Sequence, residues 1–241
     1  MFRKNLKLKK QLFIQAFMSK IEEKKPDELQ QVEQVLSKSE AFIEKYQKQL
    51  LLVVAVLVLL VLSVLAVKNY YIQPREREAE NEMAKGQALF AVDSFKVALE
   101  GKGDFIGFKE IVSEYSITPS GNLAAAYTGI CYYKLGQYDN AIKYLSKFDG
   151  EDNYFTVSVV GLIGDANIEL GKKEEAVDYF TKAAGMKNEV LSSVFLKKAG
   201  ITYEALGKPE KALEMYTAIK DEYPRSSEAS DIEKYIARVQ K

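Results

Sequence analysis

The chain has 241 residues, with 34 basic and 34 acidic side chains, no histidine, no tryptophan and one cysteine. Without histidine the commonest general base and metal ligand is missing, and one cysteine makes neither an internal disulfide nor a thiolate metal cluster. After residue 67 the chain holds 23 basic and 27 acidic side chains and no basic patch, which argues against nucleic acid as a partner. Neither an enzyme nor a cofactor is expected.

Residues 1–25 form a basic N-terminal tail that carries Arg3, Lys4, Lys7, Lys9, Lys10, Lys20, Lys24 and Lys25 among apolar groups such as Phe13 and Phe17. It reads as a mobile tail or as a segment drawn onto anionic lipid. Pro26, Asp27 and Glu28 then suit a helix start. Leu29, Val32, Leu36, Ile43, Tyr46, Leu50 and Val53 follow at three- and four-residue steps, with Ser39 in the missing place. Residues 26–48 are therefore expected to be an amphipathic juxtamembrane helix. Its stripe is a candidate for homo-oligomer formation through residues 26–67 or for a partner subunit.

Leu50 to Val67 is an 18-residue run whose one polar side chain is Ser63. At ~1.5 Å per residue it covers ~27 Å, close to the hydrocarbon thickness of a bilayer. Lys45, Tyr46 and Lys48 precede it and Lys68, Tyr70 and Tyr71 follow, as membrane interfaces favour. Residues 49–68 are expected to be one transmembrane helix. The leader is too long for a cleaved signal peptide, although Val64 and Ala66 weakly resemble a cleavage site. Residues 1–67 hold 11 basic and 7 acidic side chains. Short basic tails stay cytoplasmic, so the expected orientation is tail inside, with the large domain outside the cytoplasm.

Tyr71-Ile72-Gln73-Pro74 is expected to break the helix, making residues 69–77 a linker. The remainder, 78–241, reads as short helices joined by Gly, Pro or Asp, without the alternation of a strand.

That remainder repeats itself. Gly136, Gly171 and Gly207 are 35 and 36 residues apart; seven residues before each stands Gly129, Gly164 or Gly200, and five after each stands Ala141, Ala176 or Ala212. The earlier glycine suits a close approach of two helices. The later one suits a helix C-cap in the left-handed region. Leu145, Phe180 and Tyr216 supply bulk on each second helix, and Leu135, Leu170 and Leu206 are expected to fill the contact before each turn. A single hairpin cannot cover its apolar face, so hairpins stack. With Tyr132 and Tyr203 three residues after the earlier glycine, and Pro224 closing the last repeat, residues 121–226 resemble the tetratricopeptide repeat family. Asn167 departs from the usual aromatic. Upstream the same phase puts Gly101 at the turn, Ser94 at the earlier glycine and Ile106 at the alanine, a degenerate first repeat with helices near 78–100 and 104–116. Residues 227–240 suit a closing helix, with Ile232, Tyr235, Ile236 and Val239 inward and Glu233, Lys234 and Arg238 toward water. The expected fold is all-α: one transmembrane helix, then a superhelix of about three clear repeats, one degenerate repeat and a capping helix.

Other residues that suggest chemistry have plainer readings. Gly101, Gly103 and Gly107 lack the strand and the Gly-Lys-Ser/Thr of a phosphate loop. Asp149, Glu151 and Asp152 lack the alternating ligands of a calcium loop. Cys131 reads as a buried, inert thiol.

The resemblance implies that the first helix of each repeat lines a groove for protein segments. By repeat phase the groove residues would be Leu123, Ala126, Tyr127, Ile130, Tyr133 and Lys134, then Ser158, Gly161, Asp165, Ile168 and Glu169, then Val194, Lys197, Lys198, Ile201 and Glu204. Of the basic clamp that holds chaperone C-termini in one subgroup, only Lys197 fits. A mixed surface with Tyr and Ile suits an apolar peptide or helix instead. The whole arrangement is similar to that of the bacterial ancillary Sec translocon subunit family. The similarity implies a single-pass protein of the bacterial inner membrane with a periplasmic repeat domain, whose partners include the translocon or chaperones. A self-associating scaffold and a cytosol-facing docking module are the alternatives.

Overall fold

The computed structural model describes residues 45–240. The basic tail and residues 26–44 of the expected juxtamembrane helix lie outside the described residues. The chain divides into two units between Ala66 and Val67, and each is described by itself.

The described part of the first unit is helical. This helix, α1, covers residues 45–66 of that unit and ends at residue 67, the first of the second. Its apolar window is unburied, and the helix is long and apolar enough to cross a membrane. Every Leu and Val side chain from Leu50 to Val67 is exposed, which is the reverse of a soluble core helix.

The second unit opens with a π turn, Lys68–Ile72, followed directly by α2, Gln73–Ala91. The expected break at Pro74 is not there: residues 69–77 are helical. Pro74 occupies the first turn of α2, and the Gln73 amide bonds to Lys68 O, five residues back. The widened turn absorbs the missing proline donor, as such bulges do.

Then come α3 (Phe95–Glu100), α4 (Phe108–Glu114), α5 (Pro119–Lys134), α6 (Tyr138–Leu145), α7 (Phe155–Glu169), α8 (Lys173–Gly185), α9 (Leu191–Ala205), α10 (Pro209–Glu222), a 3₁₀ turn (Glu228–Asp231) and α11 (Ile232–Val239). The fold is all-helical with tetratricopeptide-like hairpins: α5 with α6, α7 with α8, and α9 with α10. No strand occurs among the described residues.

One device builds the three hairpins. A Cβ on Gly129 would lie 2.5 Å from Leu145 Cγ, on Gly164 2.5 Å from Phe180 Cε1, and on Gly200 2.3 Å from Tyr216 Cε1. Absence of that carbon lets a large side chain of the second helix press on the backbone of the first. Ala141, Ala176 and Ala212 are fully buried. Gly136, Gly171 and Gly207 have φ of 73°, 74° and 67°. Each ends its helix in the same pair of bonds: Gly136 N to Tyr133 O and Gln137 N to Tyr132 O, with equivalents at Gly171/Lys172 and Gly207/Lys208. This is the Schellman closure, which a left-handed glycine makes without penalty. Leu170 and Leu206 are half-buried, but Leu135 is exposed, contrary to expectation. Asn167 takes the aromatic place without an unmet polar group, because its Nδ2 donates to Ile163 O at 2.9 Å.

The front of the unit corrects the expected phase. The predicted helix 78–100 is divided at Val92–Ser94, between α2 and α3. Asp93 has φ 57°, and Asp93 N and Ser94 N bond to Phe90 O and Leu89 O. This is the same helix closure, with aspartate in place of glycine. Seven residues earlier, a Cβ on Gly86 would lie 2.4 Å from the Phe108 ring. Gly86 and Asp93, not Ser94 and Gly101, are therefore the repeat pair, with α2 and α4 as the two helices. Between them α3 and a loop with positive-φ Gly101, Gly103 and Gly107 form an insertion. That loop is a helix connection, as expected.

Three clusters make the core: Met83, Phe105, Phe108 and Ile111 at the front, Leu145, Val159 and Ile163 in the middle, and Phe180, Tyr216, Ile219 and Ile232 at the rear. Burying each such side chain stabilises by ~1.5–3 kcal/mol. Cys131 is fully buried and free, and burial pushes its thiol up to about 12, so it stays protonated. In α11, Ile232 and Ile236 are buried, and Tyr235 and Val239 pack partly on the rear core.

Candidate protein-binding face

The first helix of each hairpin turns its glycine toward the second helix, so other side chains fall on the remaining faces. Some expected groove residues are drawn inward. Tyr127 stacks near Phe90, Phe108 and Phe155, with centroids at 5.1, 5.1 and 6.4 Å. Its hydroxyl accepts from Gln87 Nε2 at 3.3 Å. Leu123 packs on the same front core. Ala126 is buried, and the place of Gly161 is filled by the Phe195 ring, 2.0 Å from where a Cβ would be.

At the rear, α11 engages others. Lys197 Nζ sits 2.6 Å from Asp231 Oδ1 and over the Tyr235 ring. Glu204 accepts from Arg238 at 2.6 and 2.8 Å and from the Tyr216 hydroxyl. Arg238, expected to face water alone, is thus a clasp. The Arg238 hydrogen bond holds Glu204 below the usual carboxylate range against its burial, and the Lys197 bond does the same for Asp231. The sequence carried a sign of this in the opposite charges of Glu204 and Arg238, but their 34-residue separation hid the pairing.

Between these closed ends a row stays open. Lys198 Nζ lies 2.7 Å from both Asp165 oxygens, which joins α9 to α7. Residues three apart share a helix face, so Ile168 and Ile201, each three after a member of this pair, stand one turn beyond it. Ile168 is 39% and Ile201 45% exposed. On α5, Ile130 and Tyr133 repeat the spacing and are half-buried. Tyr133 lies edge-on to Tyr138 at 5.5 Å. Burial, with Asp165 and Glu169 nearby, pushes its phenol up, so it remains a neutral hydrogen-bond donor. Lys134 and Glu169 are exposed beside the row. The face therefore offers apolar and aromatic contact between a charged pair and the exposed Glu169 carboxylate, which faces the Tyr138 hydroxyl. No acid or thiol cluster of metal-binding type occurs among the described residues. Asp152 instead caps α7, with Oδ1 accepting from Tyr154 N at 2.9 Å.

Two family models, each described as tetratricopeptide repeat, match this region, one over residues 127–149 and 196–226 and the other over 157–189. The TPR repeat-containing protein MJ1428 of Methanocaldococcus jannaschii is 28% identical over 138 residues, 57% of this chain and 22% of that protein. The outer membrane protein assembly factor BamD of Xylella fastidiosa is 21% identical over 170 residues, 68% of this chain and 52% of that protein. The chain thus spans about half, or less, of the length of these relatives. Among solved structures, MamA superposes with a TM-score of 0.43 at 18% identity, over 64% of this chain and 94% of its own. A Podosopora anserina putative kinesin light chain with nearly identical TPR-like repeats gives 0.45 at 16% identity, over 70% and 84%. The matched segments contain the α5–α6, α7–α8 and α9–α10 turns, and these hairpins are similar to tetratricopeptide repeats.

Proposed function

We propose that this chain is a membrane-anchored adaptor that holds a protein segment along the open row of α5, α7 and α9. The observation that carries the reading is the alignment of Tyr133, Ile168 and Ile201 beside the Asp165–Lys198 bridge. Scattered exposed apolar residues need no explanation, but a row of them on successive helices suits an apolar strand or helix face. Tetratricopeptide repeats generally serve as protein-interaction scaffolds; Ile168 and Ile201 are exposed outside the core clusters, and Tyr133 packs partly on the middle one. The exposed Glu169 carboxylate and Lys134 give the rim its polarity.

Membrane attachment is supported by α1, whose apolar window is unburied. The basic tail favours a cytoplasmic N-terminus in a bacterial inner membrane, with the repeats on the periplasmic side. Similarity to an outer membrane protein assembly factor agrees with work at a cell envelope, and clients in secretion or chaperoning follow from that setting. Protease added to spheroplasts is expected to degrade the repeats, and their protection would reverse the orientation. A photo-crosslinking residue at Ile168 in the intact protein is expected to capture an envelope protein, whereas one at the solvent-facing Glu175 is not. Equal labelling from both sites would remove the row as the binding face.

A further inference from the structure

We propose that the edge of the repeat unit formed by the loops that lead into α5, α7, α9 and α11 rests on the uncharged lipid interface. The proposal rests on the membrane-anchor reading above.

The edge is defined by a chain of hydrogen bonds from one loop to the next. Ser120 Oγ donates to Glu76 of α2 at 2.8 Å. Asn122 exchanges bonds with the Asp149 backbone at 2.6 and 2.9 Å. Asn188 Nδ2 donates to Asn153 O at 3.0 Å, and Ser193 Oγ to the Glu228 carboxylate at 2.8 Å. These bonds use part of the loops' polar groups. Beside the exposed Asp149, Glu151, Asp152 and Glu189, the loops also present large apolar side chains: Ile117 is 52%, Tyr154 56% and Val190 63% exposed. Large apolar side chains aligned on one edge mark an interaction surface. On the opposite edge, among the described residues, only Val92 is comparably exposed.

The chain itself indicates what covers this edge. The apolar run ends at Val67, and Glu76, bonded to the edge, is nine residues further on. Nine helical residues reach ~14 Å, against ~5–8 Å for the headgroup layer of one leaflet, which keeps this end of α2 within about 10 Å of the bilayer surface. Between them stand Tyr70 and Tyr71, both exposed, and tyrosine favours the headgroup level. Arg75 holds that turn against the repeats, donating to Glu114 O and lying over the Tyr115 ring at 5.4 Å. Asp149, Glu151, Asp152 and Glu189 leave the edge without net positive charge. Attraction to anionic lipid therefore has no part, and Ile, Tyr and Val partition into the interface by their apolar area.

The sequence has no tryptophan, so single-tryptophan variants of the full chain report from one place each. Tyr154→Trp, Val190→Trp, Ile168→Trp and Leu57→Trp are reconstituted in phosphatidylcholine vesicles with or without brominated acyl chains, and far-UV circular dichroism confirms their helix content. Bromination is expected to quench Tyr154→Trp and Val190→Trp, with blue-shifted emission, less strongly than Leu57→Trp and clearly more than Ile168→Trp. Edge variants quenched no more than Ile168→Trp, with Leu57→Trp quenched, overturn the lipid contact and leave the anchor standing. A Leu57→Trp variant that bromine does not quench overturns the anchor reading and this inference with it.

Discussion

The α2–α4 hairpin and the three hairpins behind it solve one packing problem with different chain lengths. In each regular hairpin the glycine and the large side chain it accommodates are 16 residues apart, whereas Gly86 and Phe108 are separated by 22. The first helix closes seven residues after its glycine in all four, on glycine in three and on Asp93 in the front one. The contact is thus the unit that repeats, and the connection is free to lengthen once it is stabilised locally. Here the local support is α3, whose Ala98 and Leu99 are buried, and Lys85, which bonds Glu82 at 2.8 Å and reaches Asp104 in the loop.

If both regions use the same contact, removing its large partner should cost them alike. Phe108→Ala and Phe180→Ala are each expected to destabilise by ~3–5 kcal/mol, read as the shift of the urea midpoint by circular dichroism. A Phe108→Ala cost far below that of Phe180→Ala would break the equivalence.

The connections should separate where the contact does not. Gly101 has φ 85° and ψ 164°, and a Cβ there would lie 2.4 Å from Phe105 O. Gly171 has φ 74° with open space around it. Gly101→Ala is expected to cost ~3 kcal/mol, from backbone strain plus collision, and Gly171→Ala ~1 kcal/mol, from strain alone. Equal melting shifts for the two would show the inserted loop to be no more constrained than a simple turn.

The junction between the regions rests on Glu76, whose carboxylate accepts from Ser120 N and Oγ at the start of α5. Glu76→Ala removes this acceptor and is expected to cost ~1 kcal/mol. Faster amide exchange should be confined to the first turn of α5, and uniform loss across the repeats would contradict a local role.

The smallest effect is electrostatic and lies at the far end. Glu204 and Asp231 have carboxyls held below their ordinary values by Arg238 and Lys197. Their contribution is present above the unfolded pKa of ~4 and is lost as pH falls through the lower folded values. Acidification below about pH 4 should therefore raise amide exchange in α11 before α7 or α8. The front loop has its counterpart in Asp104, held down by Lys85 in full exposure, and solvent screening makes that pair contribute less.

Legibility in the sequence followed the reach of each interaction. The hairpins at Gly129, Gly164 and Gly200 were readable because glycine is demanded by a short-range collision and by a left-handed cap, both of which recur at fixed spacing. The same signature stood in Gly86 and Asp93, but aspartate tolerates the left-handed cap without announcing it, and the insertion moved Phe108 out of phase. Pro74 pointed to a break because proline removes a donor, and a turn with five-residue bonds met that loss without ending the helix. Phase put the expected groove residues on α5, α7 and α9. Tyr127, Lys197 and Glu204 were then taken by partners on other elements, 12 to 40 residues away, which no local pattern encodes.

The sequence by itself determined the apolar α1, the three paired-helix repeats and the closing helix, because hydrophobic period, chain reversal and close backbone approach are properties of neighbouring residues. Only the tertiary structure decided where the front repeat begins, which part of the inner face stays open and which loops line up along one edge. Those depend on side chains from separate hairpins competing for the same space and the same hydrogen bonds.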